Sequence, residues 1–373
     1  RGHVSAAMAT APDGLPPEVA DQHTHVFVGK DAPSYTSTVD YAGAYAALGV
    51  DNSLDMAAFR RGLRVHVHSV SEEECVFDLV GVDAPIANAL RRIMIAEVPT
   101  MAIEKVFIRD NTSVVQDEVL AHRLGLVPIR VDPAYFVEAP QASEAGAGAN
   151  DPSNTLTFKL AASRGKVAAA RAGDQGRVES RELEWKPQGN QGDKLAGKAP
   201  APVHPDILLL RLGPGQGVEA ECWCTKGVGK THAKWSPVAT ASYRLLPDVR
   251  LSGPVLGARA ERIHGLCPAN VFDIEDLGDA SGRKALTAAR PRDCTMCREC
   301  IREPDDEEAQ VVLARRKDHF IFSVESAGQI PAARIVTDAL EVLSRKALAA
   351  AQLVQDERAQ RGAGGGGGDA GGA

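Results

Sequence analysis

The chain has 373 residues, of which 44% are hydrophobic, and its formal net charge is −7 at pH 7. It is long enough for two or three domains with buried cores, and its acidic balance argues against a surface that itself binds nucleic acid, because such domains are usually basic. It contains neither a run of about 18 apolar residues nor a secretory leader, so we expect neither a membrane span nor export.

The first elements are predicted from composition and alternation. Residues 1–60 mix Ala, Gly, Pro and His with polar residues, which predicts a loosely structured arm. From Leu63 onwards apolar and polar residues alternate through Val65 and Val67, which predicts a half-buried strand. A second alternating segment, residues 74–82, predicts the next strand.

A helix follows these strands. Asp83 can cap its beginning, and Pro99 ends it. Its apolar residues recur at the spacing of one helix face, and they are Ile86, Leu90, Ile93 and Met94. Arg91 and Arg92 fall outside the centre of that face.

The middle of the chain is predicted to be rich in strands and turns. Strands are expected at residues 101–110, 155–160, 207–211 and 218–225, and a short helix at 117–126. Residues 137–154 and 163–200 have the composition of long surface loops. Cys222 and Cys224 share one face of a strand, where packing in the core is the simpler role.

The segment Gly227-Val228-Gly229-Lys230-Thr231 is similar to part of a nucleotide-binding P-loop. That loop also needs a glycine five positions before the glycine that precedes the lysine, and Cys224 stands there. No helix pattern follows to bind phosphate at its N-terminus. The segment is therefore interpreted as a turn, and no nucleotide is expected.

Four of the seven cysteines lie within residues 267–300, as Cys267-Pro268 and Cys294-x-x-Cys297-x-x-Cys300. Without export, disulfides are not expected, and clustered cysteines indicate metal ligands. Cysteines at every third position with a separate Cys-Pro are typical of iron–sulfur proteins, which favours a [4Fe–4S] or [3Fe–4S] cluster. Zinc bound by the same four thiolates and a site without metal remain the alternatives.

The end of the chain predicts strands and a long helix. Residues 311–314 and 319–325 predict a strand pair, and Pro331 opens a helix that can reach about Asp356. One apolar seam follows this helix, formed by Ile335, Ala339, Val342, Leu343, Leu348 and Ala351. The seam can contact a partner helix or the chain's own sheet. Residues 361–373 are nearly all Gly and Ala, which predicts disorder.

Two stretches resemble a known family. They are GVDAPIANALRRIMIAEVPTMAIE at residues 81–104 and DEVLAHRLGLVPI at residues 117–129. Both are similar to the alpha-like subunits of cellular RNA polymerases. Residues 202–208, 226–237, 239–247 and 318–326 look most like the branch shared by eukaryotic polymerases I and III. The polymerase II counterpart carries a zinc-type cysteine group in its insert domain, whereas residues 100–200 here contain no cysteine.

The resemblance implies an α+β fold. It implies a discontinuous dimerisation domain from residues 61–100, 247–265 and 310–356, a β-rich insert domain at 101–246, and a small ferredoxin-like cysteine insertion at 266–309. The arm at 1–60 and a disordered Gly-rich tail at 357–373 flank these domains.

The resemblance also implies a non-catalytic assembly subunit in the nucleus, serving rRNA, 5S rRNA and tRNA transcription. It would heterodimerise with a small alpha-like subunit, seat the second-largest catalytic subunit, and meet DNA only indirectly. The implied interface lies on the helices at 84–96 and 332–356, and its residues are Ile86, Leu90, Arg91, Arg92, Ile93, Ile335, Ala339 and Leu343. Because Arg91 and Arg92 leave the apolar face, we expect them to face the large subunit. The alternatives are a free-standing iron–sulfur redox protein and an alpha-like polymerase subunit of the archaeal type.

Overall fold

The structure is a computed structural model that describes residues 16–37, 46–51, 53–138, 151–165, 176–276, 284–302 and 311–364. The chain divides into two compact units. The first comprises residues 1–68, 76–88 and 242–322, and the second comprises residues 69–75, 89–241 and 323–373. Among the described residues, no helix has the length and apolar character needed to span a membrane.

The helices are α1 (Pro17–Thr24), α2 (Met56–Gly62), α3 (Ala84–Ala96), α4 (Asp117–Gly125), α5 (Gln191–Lys194), α6 (Gly257–Leu266) and α7 (Ala332–Gly364). The strands are β1 (His25–Val28), β2 (Pro33–Ser34), β3 (Arg64–Val70), β4 (Glu74–Val80), β5 (Pro99–Asn111), β6 (Ile129–Arg130), β7 (Thr155–Ser163), β8 (Arg177–Glu179), β9 (Leu183–Lys186), β10 (Ala201–Pro202), β11 (Leu208–Arg211), β12 (Gly217–Val228), β13 (Val238–Leu251), β14 (Phe272–Asp276), β15 (Lys284–Ala288) and β16 (Val311–Ser326). This mixture of helices and sheets confirms the α+β class.

A six-stranded sheet has the order β2-β1-β16-β4-β3, and β13 also pairs with β16. The expectation of a loosely structured arm is wrong for residues 25–34, because β1 pairs with β16, placing His25 opposite Arg316 and Phe27 opposite Ala314. The short β-forming run at 25–28 is surrounded by Gly, Pro and polar residues, so the composition of the segment does not reveal this strand. Its backbone partners lie almost three hundred positions away along the chain.

Two further strand predictions need correction. Every residue of β3 is exposed, including Val65 at 56% and Val67 at 60%, so β3 is an edge strand and is not half-buried. The last strand is continuous from Val311 to Ser326, although the sequence predicts a pair. Its charged middle does not interrupt it, because Arg316 pairs with Asp318 at 3.2 Å along the strand.

Aromatic and aliphatic side chains form the core of the first unit. Phe77 of β4 stacks on Phe322 of β16 with ring centroids 5.0 Å apart, and Tyr243 meets Phe320 edge-on at 5.2 Å. A separate cluster holds the cysteine-rich segment, and its buried members are Val249, Val255, Ala260, Ile263, Val271, Phe272, Leu286, Met296, Val311 and Leu313. The segment therefore has a core of its own, which fixes its position.

The second unit contains a four-stranded antiparallel sheet in the order β5-β12-β7-β9. Cys222 and Cys224 are fully buried in its core, which confirms their packing role. The prediction of a continuous loop at 163–200 is wrong, because β9 pairs with β7, placing Trp185 opposite Phe158. The alternation in this four-residue strand is too short to be distinguished from a polar loop. The predictions for residues 139–150 and 166–175 lie outside the described residues.

The glycine-rich segment that begins at the end of β12 packs against the C-terminal end of α3. The backbone N–H of Lys230 donates to the carbonyl of Ala96 over 2.8 Å. A Cβ atom at Gly229 would lie 2.3 Å from the carbonyl oxygen of Ile95, and one at Gly227 would lie 2.4 Å from the Trp235 ring. The two glycines that suggested a P-loop therefore permit close packing against a helix end and an aromatic ring.

We expect Gly229→Ala to destabilise the chain by about 1–3 kcal/mol, because the added methyl group must displace a backbone carbonyl. Gly253→Ala is the matched control, since nothing lies within 4 Å of the corresponding Cβ position, and its effect should stay within about 0.5 kcal/mol. Urea unfolding of both variants measures the difference. Equal midpoints for the two variants would show that the α3 end does not depend on this contact.

Helix α7 continues to Gly364, beyond the predicted end near Asp356. Near its start, Arg334 makes a two-point contact with Asp132 over 2.6 and 2.9 Å. Further along, the Lys346 ammonium contacts both carboxylate oxygens of Glu97, at 2.8 and 2.9 Å. The Ala-rich sequence between these contacts and the tail favours helix throughout. The predicted disorder of the tail at 357–373 is wrong for residues 357–364, which belong to α7, and residues 365–373 lie outside the described residues.

Candidate functional site

The four cysteines predicted to bind metal surround one small pocket, which we call the cysteine site. Cys267 follows directly after α6, Cys294 follows a 3₁₀ turn at Pro291–Asp293, and Cys300 lies in a 3₁₀ turn at Glu299–Ile301. Together with Cys297 these side chains line the pocket, beside Val271, Phe272 and Leu313. The fold thus brings the distant Cys267 to the three closely spaced cysteines, as the motif predicts.

The loop that carries three of the cysteines has an unusual backbone. Met296 has φ 61° and Arg298 has φ 70°, so each interval between successive cysteines contains one non-glycine residue in the left-handed region. Such residues are uncommon and concentrate at binding sites, where the surrounding structure holds them. The Arg298 guanidinium donates to the carbonyl of Lys30 over 3.0 Å, which helps to hold this conformation.

Burial affects the protonation of two of the thiols, those of Cys294 and Cys300. It raises the pKa of Cys300 to about 12 and also raises the pKa of Cys294, and the neighbouring thiols add to both shifts. The thiol of Cys267 accepts a backbone hydrogen bond from Val271 over 3.4 Å. In the metal-free chain Cys294 and Cys300 are therefore neutral at pH 7, and a bound metal must displace their protons.

The residues of the cysteine site fit a thiophilic metal centre. Four sulfur donors suit both tetrahedral zinc and an iron–sulfur cluster, and backbone N–H groups near the sulfurs support either one. Within the described residues, no three His, Cys, Asp or Glu side chains already have the arrangement of a metal-binding group.

The predicted interface residues of α3 divide into two groups. Leu90 and Ile93 are 2% and 3% exposed, so they lie inside the chain and cannot form its surface. Ile86 is 40% exposed, Arg92 is exposed and Arg91 is half-buried. Ile86 and Arg92 therefore lie at the surface, and Arg91 lies there only in part.

Helix α7 divides in the same way along its length. Ile335 and Ala339 are fully buried and Leu343 is half-buried, whereas every residue from Ser344 to Gln360 is exposed. The single seam predicted from the sequence is therefore wrong. Its first members face the chain's own interior, and Leu348 and Ala351 face outward.

A second apolar stripe of α7, which the sequence alone did not single out, is largely exposed and shares only Leu343 with the predicted seam. Its members recur at alternating spacings of three and four, and we call them the α7 seam: Leu340, Leu343, Ala347, Ala350 and Val354. Leu340 and Val354 are 49% and 52% exposed. This is the a/d spacing of helices that pack against a partner helix. The heptad spacing is present in the sequence. It was not recognised because the apolar residues of the buried face of α7 overlap with it.

Comparison with known proteins identifies the family. Residues 76–347 match the RNA polymerase Rpb3/Rpb11 dimerisation domain. DNA-directed RNA polymerases I and III subunit rpac1 of Dictyostelium discoideum is 42% identical over 337 residues, covering 88% of this chain and 93% of that protein. The RPAC1 subunit of Bos taurus is 44% identical over 336 residues, covering 88% and 94%. The RPAC1 subunit of Homo sapiens is 42% identical over 336 residues, with the same coverage.

The matched region includes α3, the first half of α7 and the whole cysteine site, so it contains all the predicted interface residues and metal ligands. These relatives favour neither of the two alternatives, a free-standing redox protein and a polymerase subunit of the archaeal type. The chain belongs to the family of alpha-like RNA polymerase subunits, in the branch shared by RNA polymerases I and III.

Proposed function

We propose that the chain is a non-catalytic assembly subunit of nuclear RNA polymerases I and III, and that it heterodimerises with a small alpha-like subunit. The observation that carries the proposal is the α7 seam. An amphipathic helix normally buries its apolar stripe, whereas four of the five residues of the α7 seam are exposed and the fifth, Leu343, is half-buried. A partner helix with a matching stripe would cover it.

The heterodimer would then seat the second-largest catalytic subunit. Arg92 supports this step, because it is exposed on α3 and lies two positions from Leu90, which is buried. A guanidinium group suits two-point recognition of carboxylates on a large partner. The exposed face of α3 and the α7 seam would serve two different partners.

We expect charge reversal at both arginines, Arg91→Glu and Arg92→Glu, to block recruitment of the second-largest subunit and to leave pairing with the small subunit intact. Two unfavourable contacts should weaken the first association at least about 100-fold. Co-expression of the full chain with both partners, followed by gel filtration, measures both associations. Reversal of Arg130 and Arg211, which are exposed elsewhere in the same unit, is the control. Retention of both partners by the α3 variant would contradict the proposal.

We further propose that the cysteine site binds an iron–sulfur cluster or zinc in a structural role. Four thiols at one pocket and the strained backbone of the loop support this proposal. The residues that would hold the group are Cys267, Cys294, Cys297 and Cys300, and the bound group would contribute cross-linking of the loop to α6. Anaerobic purification, an absorption spectrum and metal analysis test the identity. Broad visible absorption with iron and sulfide indicates a cluster, stoichiometric zinc indicates the alternative, and the absence of both contradicts the proposal.

A further inference from the structure

Asp78 is a buried carboxylate that the sequence does not single out. It lies on β4, is 4% exposed, and receives two hydrogen bonds from the Arg292 guanidinium over 2.7 and 2.8 Å. Nε2 of His319 lies 2.9 Å from the same carboxylate, and Nε2 of His68 lies 3.1 Å from it. Each oxygen of this buried anion therefore has at least one partner, and three side chains from three different elements converge on it.

Arg292 connects this carboxylate to the cysteine site. It lies in the 3₁₀ turn Pro291–Asp293, and Cys294 is the next residue after that turn. Its backbone carbonyl accepts a hydrogen bond from Arg244 of β13 over 2.8 Å. Asp78 and Arg244 thus hold this one turn from two strands, at the entrance to the cysteine loop.

The network is better explained by positioning than by stability alone. Burial opposes the ionisation of Asp78, but hydrogen bonds from Arg292, His319 and His68 outweigh it and hold the pKa of Asp78 well below its usual range. A buried ion pair often contributes little more than well-packed apolar residues would. A planar two-point contact does, however, fix both the distance and the orientation of the turn that carries it.

We propose that Asp78 is a positioning residue for the cysteine site: through its two-point contact with Arg292 it holds Cys294 at the pocket and couples occupation of the site to the sheet. This inference rests on the proposed role of the four cysteines as metal ligands. With Cys294 held in advance, less of the loop must be ordered when metal binds. By linkage, a metal that orders the loop also stabilises the sheet that holds Asp78.

The test uses the full chain with three substitutions. Asp78→Asn keeps the shape and removes the charge, and Arg292→Lys keeps the charge and removes the two-point contact. Asp273→Asn is the matched control, because Asp273 makes the same two-point contact with Arg290 over 2.6 and 2.8 Å, but both partners are 44% exposed. Each protein is loaded with Zn²⁺ alone and, separately, with iron and sulfide under anaerobic conditions.

Chelator competition then measures how tightly the metal is held. We expect Asp78→Asn and Arg292→Lys to bind about 10- to 100-fold more weakly than the unsubstituted chain, the usual effect of losing a residue that orients a ligand. The control should change by less than about 3-fold, because an exposed ion pair constrains little. Unchanged binding in both variants, or weakening as large in the control, overturns the inference while the metal site itself stands.

Hydrogen exchange in the metal-free chain gives a readout that does not depend on metal. Faster exchange confined to residues 291–300 in Asp78→Asn and in Arg292→Lys supports the positioning role. Unchanged exchange in this segment, or a uniform increase across the chain, overturns it. If the unsubstituted chain takes up neither form of metal, the proposed metal site fails, and the exchange result still decides whether Asp78 positions the loop.

Discussion

Replacing Leu340 and Val354 together with glutamate should abolish pairing with a small alpha-like subunit and leave the chain folded. Both side chains are about half exposed, at 49% and 52%, so the isolated chain can hydrate the new carboxylates. In the heterodimer they would be covered by an apolar helix. Each unpaired buried carboxylate then costs about 2 kcal/mol or more, which together corresponds to roughly 1,000-fold weaker binding.

The experiment compares the seam with the opposite face of the same helix. Arg345 and Gln352 lie on that face, and both are exposed, so Arg345→Glu with Gln352→Glu adds comparable negative charge without touching the seam. Calorimetric titration with the purified small subunit measures both affinities, and circular dichroism confirms that the helix persists. Equal affinities for the two double variants would show that the partner does not use the α7 seam.

The second large effect concerns the cysteine site. If the cysteine site binds metal as we propose, replacing Cys294 and Cys300 with serine should prevent metal uptake and lower the thermal stability of the first unit. Cys294 and Cys300 pack against its cluster around Phe272 and Leu313, so an unligated loop loosens that core. A ligand whose free concentration is about 1,000 times its dissociation constant stabilises the folded state by about 4 kcal/mol. Metal analysis and thermal unfolding of the metal-loaded chain measure the two losses.

A buried cysteine in the other unit provides the control for this experiment. Cys222 is fully buried and burial raises its pKa to about 12, so it is a neutral packing residue. Cys222→Ala should cost about 1 kcal/mol through a small cavity and leave the metal content unchanged. Full metal content in the Cys294→Ser, Cys300→Ser variant would rule out the proposed ligand set.

Local patterns in the sequence predicted several elements well. Helix α3 was predicted within a residue or two, because its cap, its apolar spacing and Pro99 lie within one short segment. The packing role of Cys222 and Cys224 followed from strand alternation. The candidate metal ligands were recognisable because three of them are closely spaced, and the fold adds Cys267 to the same pocket.

The errors occurred where burial depends on distant parts of the chain. β1 was missed because its partner strand β16 lies near the other end of the sequence. Exposure of β3 follows from its place at the edge of the sheet, which alternation cannot reveal. In α7 two apolar faces overlap, and only the packed structure shows that one is buried and the other is open.

The sequence by itself determined the family, the α+β class, helices α3 and α4, most of α7, and the four cysteines as candidate ligands, because each is encoded by residues within a short stretch. The tertiary structure decided which apolar residues remain at the surface and which charges meet in the interior. Asp78 and Arg292 are 214 positions apart, so neither residue by itself predicts their contact. Only folding of the chain brings two groups so far apart in the sequence into contact. Because Asp78 is then buried, its charge must be paired.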